Sequence, residues 1–212
     1  MSPSIDAGPD DVDLTTYDDP AGRTHTPHGE ERKQQLLDAA AELFAERGYG
    51  ATRIADICQR AGVAKGLFYW YFSTKAELFT ELIRVMRRRL RVAQSDAMDP
   101  EAGALERIVQ GTEASVVFMA ANASYFALLD LERADPAFAE VFREGSDVYF
   151  DDVRRLVVAG QRDGTIADGD SNLLTIGVLG AVSSFSNSYR SERLDPSIGV
   201  AELAHFVGRW VA

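Results

Sequence analysis

The chain has 212 residues, one cysteine, an apolar content of 46% and a formal net charge of −11. This length suits one medium domain, or a small domain fused to a larger one, with enough apolar residues to bury a core. The sequence contains no run of about eighteen apolar residues, so we expect no membrane-spanning helix. The acidic N-terminus lacks an apolar stretch, so we expect no secretory signal and a cytoplasmic protein.

The net charge alone argues against a nucleic-acid partner, but the charge is unevenly distributed. Residues 1–29 carry six acidic residues and one arginine, a charge of −5. Residues 30–91 carry twelve Lys/Arg and eight Asp/Glu, a charge of +4, whereas residues 92–212 carry nine and nineteen, a charge of −10. A basic segment inside an acidic chain indicates an anionic partner.

Residues 1–29 are rich in Asp, Pro, Gly and Thr and have almost no large apolar side chains. This composition predicts a disordered acidic arm. His25 and His28 lie in the arm without a third ligand nearby, and Cys58 is the only cysteine, so we expect no metal site, no internal disulfide and no cofactor.

From Glu30 onward the apolar residues follow helical spacing, and Gly48 is the predicted end of the first helix. Thr52 is the predicted N-cap of a short helix that ends at Arg60, and Ser73 is the predicted N-cap of a helix that runs to about Asp96. Further helices are expected at 101–121, 123–133, 136–162, 170–189 and 197–211. No alternating strand pattern is visible, so the predicted fold is all-α.

The segment from Cys58 to Val63 has the pattern of a helix-turn-helix. Cys58 is a small residue four positions before Gly62, so two helices can cross closely there. Gly62 allows the left-handed backbone that the turn between them needs. A buried thiol between apolar residues should be unreactive, so a structural role for Cys58 is favoured over redox sensing.

The next segment, AKGLFYWYF, predicts a short helix with two different faces. Phe68, Tyr71 and Phe72 stand at i, i+3 and i+4, so they share one face that packs on neighbouring helices. Lys65, Gly66 and Tyr69 share another face, flanked by Trp70, that is left for a partner. A basic front and an aromatic back are typical of a recognition helix in the DNA major groove.

Residues 32–83, RKQQLLDAAAELFAERGYGATRIADICQRAGVAKGLFYWYFSTKAELFTELI, resemble the DNA-binding domain of the TetR family of bacterial transcriptional regulators. ATRIADICQRAGV resembles that family's second helix and turn, and AKGLFYWYFSTKAELF its recognition helix and the start of its fourth helix. Two features depart from the family pattern. Cys58 stands where alanine is usual. Leu67, Phe68 and Trp70 replace residues of the common Thr-Leu-Tyr-His sequence, which changes the surface that would meet an operator.

The resemblance implies an N-terminal three-helix helix-turn-helix domain at 30–76 and a C-terminal helical effector-binding and dimerisation domain at 77–212. For the first domain it implies contacts with double-stranded DNA. The candidate DNA-binding residues are Thr52, Arg53, Lys65, Gly66, Leu67, Tyr69, Trp70 and Lys75. For any one of them an ordinary solvated or packed side chain remains the alternative. The arginine-rich run Arg84–Arg91 is expected to form a solvated face or an interdomain contact rather than a phosphate clamp.

For the second domain the resemblance implies a homodimer built from the last two helices. Small residues form stripes on the helix at 170–189, and apolar residues form a stripe on the last helix. The candidate interface residues are Gly177, Gly180, Ala181, Ser184, Ser188, Leu203, Phe206, Val207 and Trp210. The alternative is that these stripes serve only the internal core.

The resemblance also implies that the middle helices bind a small effector. Mostly apolar residues with a few polar groups describe a site for a lipophilic ligand, and they equally describe an amphipathic core. The candidate effector residues are Phe118, Asn122, Tyr125, Phe126, Leu129, Tyr149, Val153 and Phe185. The net acidity of the domain favours a neutral or cationic effector over a highly anionic one.

The sequence therefore predicts a homodimeric repressor that a small molecule releases from a palindromic operator. An activator or a scaffold with the same fold remains an alternative. An enzyme is not expected, because the sequence shows no nucleophile elbow, metal-ligand spacing or phosphate-binding glycine loop.

Overall fold

A computed structural model describes residues 27–191, 193 and 199–212, and the regular structure within them is entirely helical. This confirms the predicted all-α fold. The predicted acidic arm lies outside the described residues, except that the first helix already begins at Pro27.

The first four helices form the N-terminal part of the molecule. They are α1 (Pro27–Arg47), α2 (Ile54–Ala61), α3 (Lys65–Tyr71) and α4 (Lys75–Ala97). Both predicted glycine stops are present: Gly48 follows α1 with φ 81°, and Gly62 follows α2 with φ 66°. These left-handed conformations are the ones that glycine adopts without a steric penalty.

Two predicted helix caps are wrong by one residue. The N-cap of α2 is Arg53, whose backbone is extended. The Thr52 hydroxyl instead donates to the Gly48 carbonyl (2.9 Å). At α4 the capping hydroxyl belongs to Thr74, which accepts from the Glu77 N–H (3.0 Å). Ser and Thr occur side by side at 73–74, so the sequence alone did not distinguish the two caps.

The remaining helices form the C-terminal part of the molecule. They are α5 (Ala104–Ala121), α6 (Ala123–Glu132), α7 (Ala139–Asp163), α8 (Ser171–Arg190) and α9 (Val200–Val211). These helices and the second half of α4 are here called the body. The predicted helix 136–162 divides into a 3-10 turn, Pro136–Phe138, and α7. The Asp135 carboxylate accepts from the Ala137 N–H (2.9 Å) and so caps that turn.

The first of two apolar cores joins α1–α4 to the body. Phe138, in the 3-10 turn, is fully buried against Phe79 and Tyr49, with ring centroids 4.7 Å and 5.3 Å away. Phe79 in turn packs edge-on against Phe44 at 5.5 Å. A body residue therefore completes the core of the N-terminal helices, and a movement of the turn would be felt by α1 and α4.

The second core lies within the body. Its buried members come from α5, α7, α8 and α9 and the loop after α7: Ile108, Val157, Ile166, Val178, Val207 and Val211. In the described part of the chain, no single helix is long and apolar enough to span a membrane, and α5 and α6 would reach that length only together, across an 88° bend.

Candidate nucleic-acid interface

The short helix α3 is fixed from behind by aromatic side chains. Phe68, Tyr71 and Phe72 are buried in the first core, as predicted. The Tyr71 hydroxyl also donates to the Gly29 carbonyl (2.7 Å) near the start of α1. Because packing and a hydrogen bond hold this face, the opposite face of α3 has a defined orientation.

The opposite face, here called the α3 face, consists of Lys65, Gly66, Tyr69 and Trp70, all of which are exposed. Tyr69 and Trp70 expose 50% and 47% of their surface, unusually much for such large rings. A Cβ on Gly66 would meet nothing within 4 Å, so internal packing does not require glycine there. Glycine at this point instead lets a partner approach the backbone closely.

Leu67 lies between the two faces of α3. It is half-buried and packs against the first core. A contact between Leu67 and DNA would therefore involve only the part of the side chain that stays accessible.

The side chain of Thr52, a candidate DNA-binding residue, lies in the interior of the protein. This residue is 1% exposed, and its hydroxyl donates to the carbonyls of Gly48 (2.9 Å) and Leu43 (3.3 Å). The hydroxyl thus satisfies carbonyls at the end of α1, so it is not available to a phosphate group.

Arg53 is exposed at the start of α2, as the prediction required. Its guanidinium donates twice to the Asp56 carboxylate (2.9 and 3.0 Å), and this contact lowers the pKa of Asp56. The guanidinium is thus held in position at the edge of the α3 face while remaining accessible.

The structure also contradicts the phosphate contact predicted for Lys75. Its Nζ donates to the carbonyls of Tyr49 (2.6 Å), Thr52 (2.8 Å) and Gly50 (3.4 Å) and lies 4.2 Å from the centroid of the Tyr49 ring. Burial lowers the pKa of Lys75. All three ammonium hydrogens have acceptors in the loop before α2, so this lysine stabilises the loop.

The arginine-rich run on α4 forms interdomain contacts rather than a phosphate clamp. Arg84 pairs with Glu144 (3.4 Å) and Arg91 with Asp152 (3.0 Å), both on α7. These ion pairs join α4, which begins beside α3, to the body.

The nine residues predicted for a dimer interface fall into two groups. Leu203 and Val207 are buried in the body, and Ala181 packs against the second core, so these three serve the internal core. Among the rest, Gly177 lies under the Trp210 ring, which a Cβ at that position would strike. The exposed members of the set are Gly180, Ser184, Phe206 and Trp210, and Ser188 is half-buried.

The sequence reasoning missed two exposed apolar residues beside that group. Leu173 and Ile176, on α8, expose 68% and 58% of their surface. Together with Phe206 and Trp210 (54% each) they form an apolar surface, here called the α8–α9 face. Their spacing of three residues on a helix was the signal for this surface in the sequence.

In the described part of the chain, the eight predicted effector residues are distributed over both apolar cores and the helices between them. Tyr125 and Leu129 are buried in the first core, against which Phe118 and Phe126 pack, and Val153 and Phe185 pack against the second. The Asn122 side chain donates to the Phe118 carbonyl (2.8 Å) at the bend between α5 and α6. The Tyr149 hydroxyl accepts from Gln94 (2.9 Å).

Of these residues only Phe118 lines a groove of about 490 Å³ between α4 and α5. Half of the lining residues are alanines, and Glu113 and Gln110 are the polar members. Its residues are Ala93, Ala97, Gln110, Glu113, Ala114, Val117, Phe118 and Ala121. The alanines at i and i+4 on α4 were the signal for it in the sequence.

Residues 36–82 match the family described as bacterial regulatory proteins, tetR family. Over 77 residues the chain is 40% identical to the HTH-type transcriptional repressor KstR2 of Mycobacterium tuberculosis, which covers 36% of this chain and 38% of that protein. Over 55 residues it is 46% identical to the HTH-type transcriptional activator FasR of Mycolicibacterium smegmatis, which covers 26% and 25%. The chain thus matches well under half the length of these relatives.

The likeness in fold extends much further along the chain. The structure of the fatty acid degradation regulator FadR from Bacillus halodurans superposes with a TM-score of 0.73 at 20% identity, covering 88% of this chain and 95% of that one. The chain thus carries a tetR-family domain at residues 36–82, and the fold over most of its length is similar to that of this solved regulator.

Proposed function

We propose that this protein is a homodimeric transcriptional repressor that binds a palindromic operator and that a small effector releases. The observation that carries the DNA-binding part is the α3 face. Lys65, Gly66, Tyr69 and Trp70 are exposed on a helix whose other side is locked into a core. This is the arrangement that a helix needs to enter the major groove in one orientation.

The dimer is supported by the α8–α9 face. Leu173, Ile176, Phe206 and Trp210 expose more than half of their surface each. Adjacent exposed apolar residues of this size are typical of an interface between proteins. A two-fold dimer would place two α3 helices in successive major grooves about 34–36 Å apart, which is why the operator should be an inverted repeat.

Release by an effector is supported by the connections between α4 and the body. Phe138 seals the first core from the body side, and Arg84 and Arg91 tie α4 to α7. An effector that shifts α7 relative to α4 would change the separation of the two α3 helices. Because the coupling is reciprocal, operator DNA must weaken effector binding by the same factor, and a preference of a few kcal/mol is enough.

The alternative of an activator has specific support, because FasR, with 46% identity over 55 residues, is named an activator. The matched relatives are transcriptional regulators, so the comparisons give no support to an enzyme. Repressor and activator share the α3 face and differ in what happens at the promoter.

The test is to select sheared genomic DNA from the source organism with purified protein at near-physiological salt and to sequence what is retained. We expect a few fragments that share an inverted repeat. A double variant, Lys65→Ala with Tyr69→Ala, should retain none of them and serves as the control. If the folded wild-type protein enriches no fragment, the DNA-binding proposal is wrong.

Promoter output then separates the two regulatory roles. In a strain that lacks the gene, transcription beside the recovered sites should rise if the protein is a repressor. A fall in transcription would establish an activator instead.

A further inference from the structure

Arg87, on α4, is directed into the body between α6 and α7. Its guanidinium donates to the backbone carbonyls of Val141 and Phe142 and lies against Gly145, where a Cβ would collide with it. These two bonds use two of the five N–H groups of the guanidinium. The glycine therefore provides the space in which the cation sits.

Arg87 differs from its neighbours because no carboxylate pairs with it. Arg84 and Arg91, one turn away on either side, pair with Glu144 and Asp152. Among the described residues no carboxylate oxygen lies within ion-pair distance of Arg87, and burial lowers its pKa. A second cation, Arg133, lies 5.6 Å from the same Phe142 ring that Arg87 approaches. Two guanidinium groups thus approach this ring, and the Glu144 carboxylate, which pairs with Arg84, acts on Arg87 from beyond ion-pair distance.

Tyr125, on α6, belongs to the same apolar core as Phe142, the residue whose ring Arg87 approaches. The residue is 6% exposed, and its hydroxyl has no hydrogen-bond partner within the described part of the chain. The charge of Arg87 acts on this hydroxyl, partly opposing the rise in pKa that burial causes. Buried hydroxyls normally have partners, so an orphaned one next to an unpaired cation needs an explanation.

The contrast with Tyr149 shows that the body does satisfy hydroxyl groups elsewhere. The Tyr149 hydroxyl accepts from Gln94 (2.9 Å) and lies 3.3 Å from the Ser115 hydroxyl. Both tyrosines lie in the interior of the body. Only Tyr125 is left with a free donor, and only Tyr125 has an unpaired guanidinium as a neighbour.

Apolar rings extend from Tyr125 away from the charge. Its ring lies 5.3 Å from that of Phe126, which lies 6.3 Å from that of Phe118 on the wall of the α4–α5 groove. An amphipathic molecule with one anionic end would find donors at Arg87 and Tyr125 and apolar surface beside them.

We propose that Arg87 and Tyr125 form the polar end of the effector site and that the effector carries a carboxylate. This inference rests on the proposed function, in which the body binds a small effector. The carboxylate would accept from the Arg87 guanidinium and from the Tyr125 hydroxyl. The carboxylate that acts on Arg87, Glu144, is itself paired with Arg84 (3.4 Å), which weakens its competition with an effector carboxylate.

The test compares three compounds that share an apolar part and differ in the head group: 4-phenylbutanoate, 4-phenylbutan-1-ol and 4-phenylbutylammonium. Their binding to the full-length protein is measured by calorimetry, without DNA. We expect the carboxylate to bind at least about tenfold more tightly than the alcohol, and the ammonium compound to bind least. Equal binding of the carboxylate and the alcohol, or no binding of the carboxylate, would overturn the proposal.

Two matched variants locate the site. Tyr125→Phe should reduce the preference for the carboxylate about fivefold to tenfold and leave the unliganded melting temperature unchanged or raised, because it removes an unsatisfied hydroxyl. Tyr149→Phe should lower the melting temperature and leave the preference intact. Arg87→Met should abolish the preference in a protein that circular dichroism shows to be helical. If Tyr125→Phe keeps the full preference, the assignment is wrong.

The result can be separated from that of the proposed function. If the protein selects specific genomic fragments but shows no preference for the carboxylate compound in calorimetry, this inference is wrong and the DNA-binding proposal still holds. Carboxylate binding that responds to Tyr125→Phe but leaves operator affinity unchanged would support the site and contradict release by the effector.

Discussion

The α3 face and the α8–α9 face both expose large aromatic rings, yet they differ in charge. Lys65 lies within the α3 face, and Arg53 stands exposed on the neighbouring helix. The central residues of the α8–α9 face, Leu173, Ile176 and Phe206, are uncharged. Phosphate groups attract cations, whereas a protein interface centre is depleted of charge. Local charge therefore distinguishes the surface that we propose for DNA from the surface that we propose for a second subunit.

The two faces also differ in how they are supported. Behind the α3 face the rings of Phe68, Tyr71 and Phe72 fill the core, so a short helix of seven residues is held firmly. Within the α8–α9 face the Trp210 ring lies directly on Gly177, so α8 and α9 approach each other closely. The first arrangement fixes the angle of one helix, and the second makes a broad surface from two.

The largest expected effect comes from placing a charge in the α8–α9 face. Ile176→Glu should weaken dimerisation by at least about 100-fold, or roughly 3 kcal/mol, because a carboxylate would lose its water in the interface. Sedimentation velocity at micromolar concentration should show monomers. Affinity for an inverted repeat should fall with the loss of the dimer.

A matched control lies on a different helix, α7, where Val148 exposes 44% of its surface. Val148→Glu should leave the protein dimeric. If Ile176→Glu also remains dimeric, then the exposed apolar residues of α8 and α9 have another role, and the α8–α9 face is not the dimer interface.

The sequence was sufficient for the fold and for the division of α3 into two faces. Phe68, Tyr71 and Phe72 stand at i, i+3 and i+4, and that spacing determines a shared side whatever surrounds the helix. In α9 the same spacing rule predicted an apolar stripe, but it did not indicate which part of the molecule each residue of the stripe contacts. Leu203 and Val207 are buried, Val207 in the second core, whereas Phe206 is exposed. An apolar stripe wider than one contact cannot be assigned to one neighbour from spacing alone.

The sequence also did not indicate which lysines of the basic segment are exposed and which are bound within the protein. Lys65 and Lys75 both precede aromatic or apolar residues on short stretches of the basic segment. In the structure Lys65 is exposed, and Lys75 is surrounded by the carbonyls of residues 49, 50 and 52. The loop that supplies those carbonyls is more than twenty residues away, so no local pattern indicated the contact.

A smaller effect is therefore expected from Lys75→Met, and it should be on stability. The carbonyls of Tyr49 and Thr52 would lose their donor, which should lower the free energy of unfolding by about 1–3 kcal/mol. Urea unfolding followed by circular dichroism measures this change. The salt dependence of operator binding should stay as in the wild type, and a clear decrease would restore Lys75 to the DNA-contacting surface.

The smallest expected change in stability, and the opposite pattern, comes from Lys65→Met. Lys65 is exposed, with its Nζ 5.8 Å from the centroid of the Tyr69 ring, so its removal should change the free energy of unfolding by less than about 0.5 kcal/mol. Operator affinity should fall at least about tenfold, and the slope of log K against log salt should become shallower by about two, because the dimer loses one phosphate contact in each subunit. Fluorescence anisotropy over a series of salt concentrations, on an operator recovered by the genomic selection, measures both. If the slope is unchanged while affinity still falls, Lys65 acts at a base edge, because only the neutralisation of a phosphate releases the counterions that the slope reports.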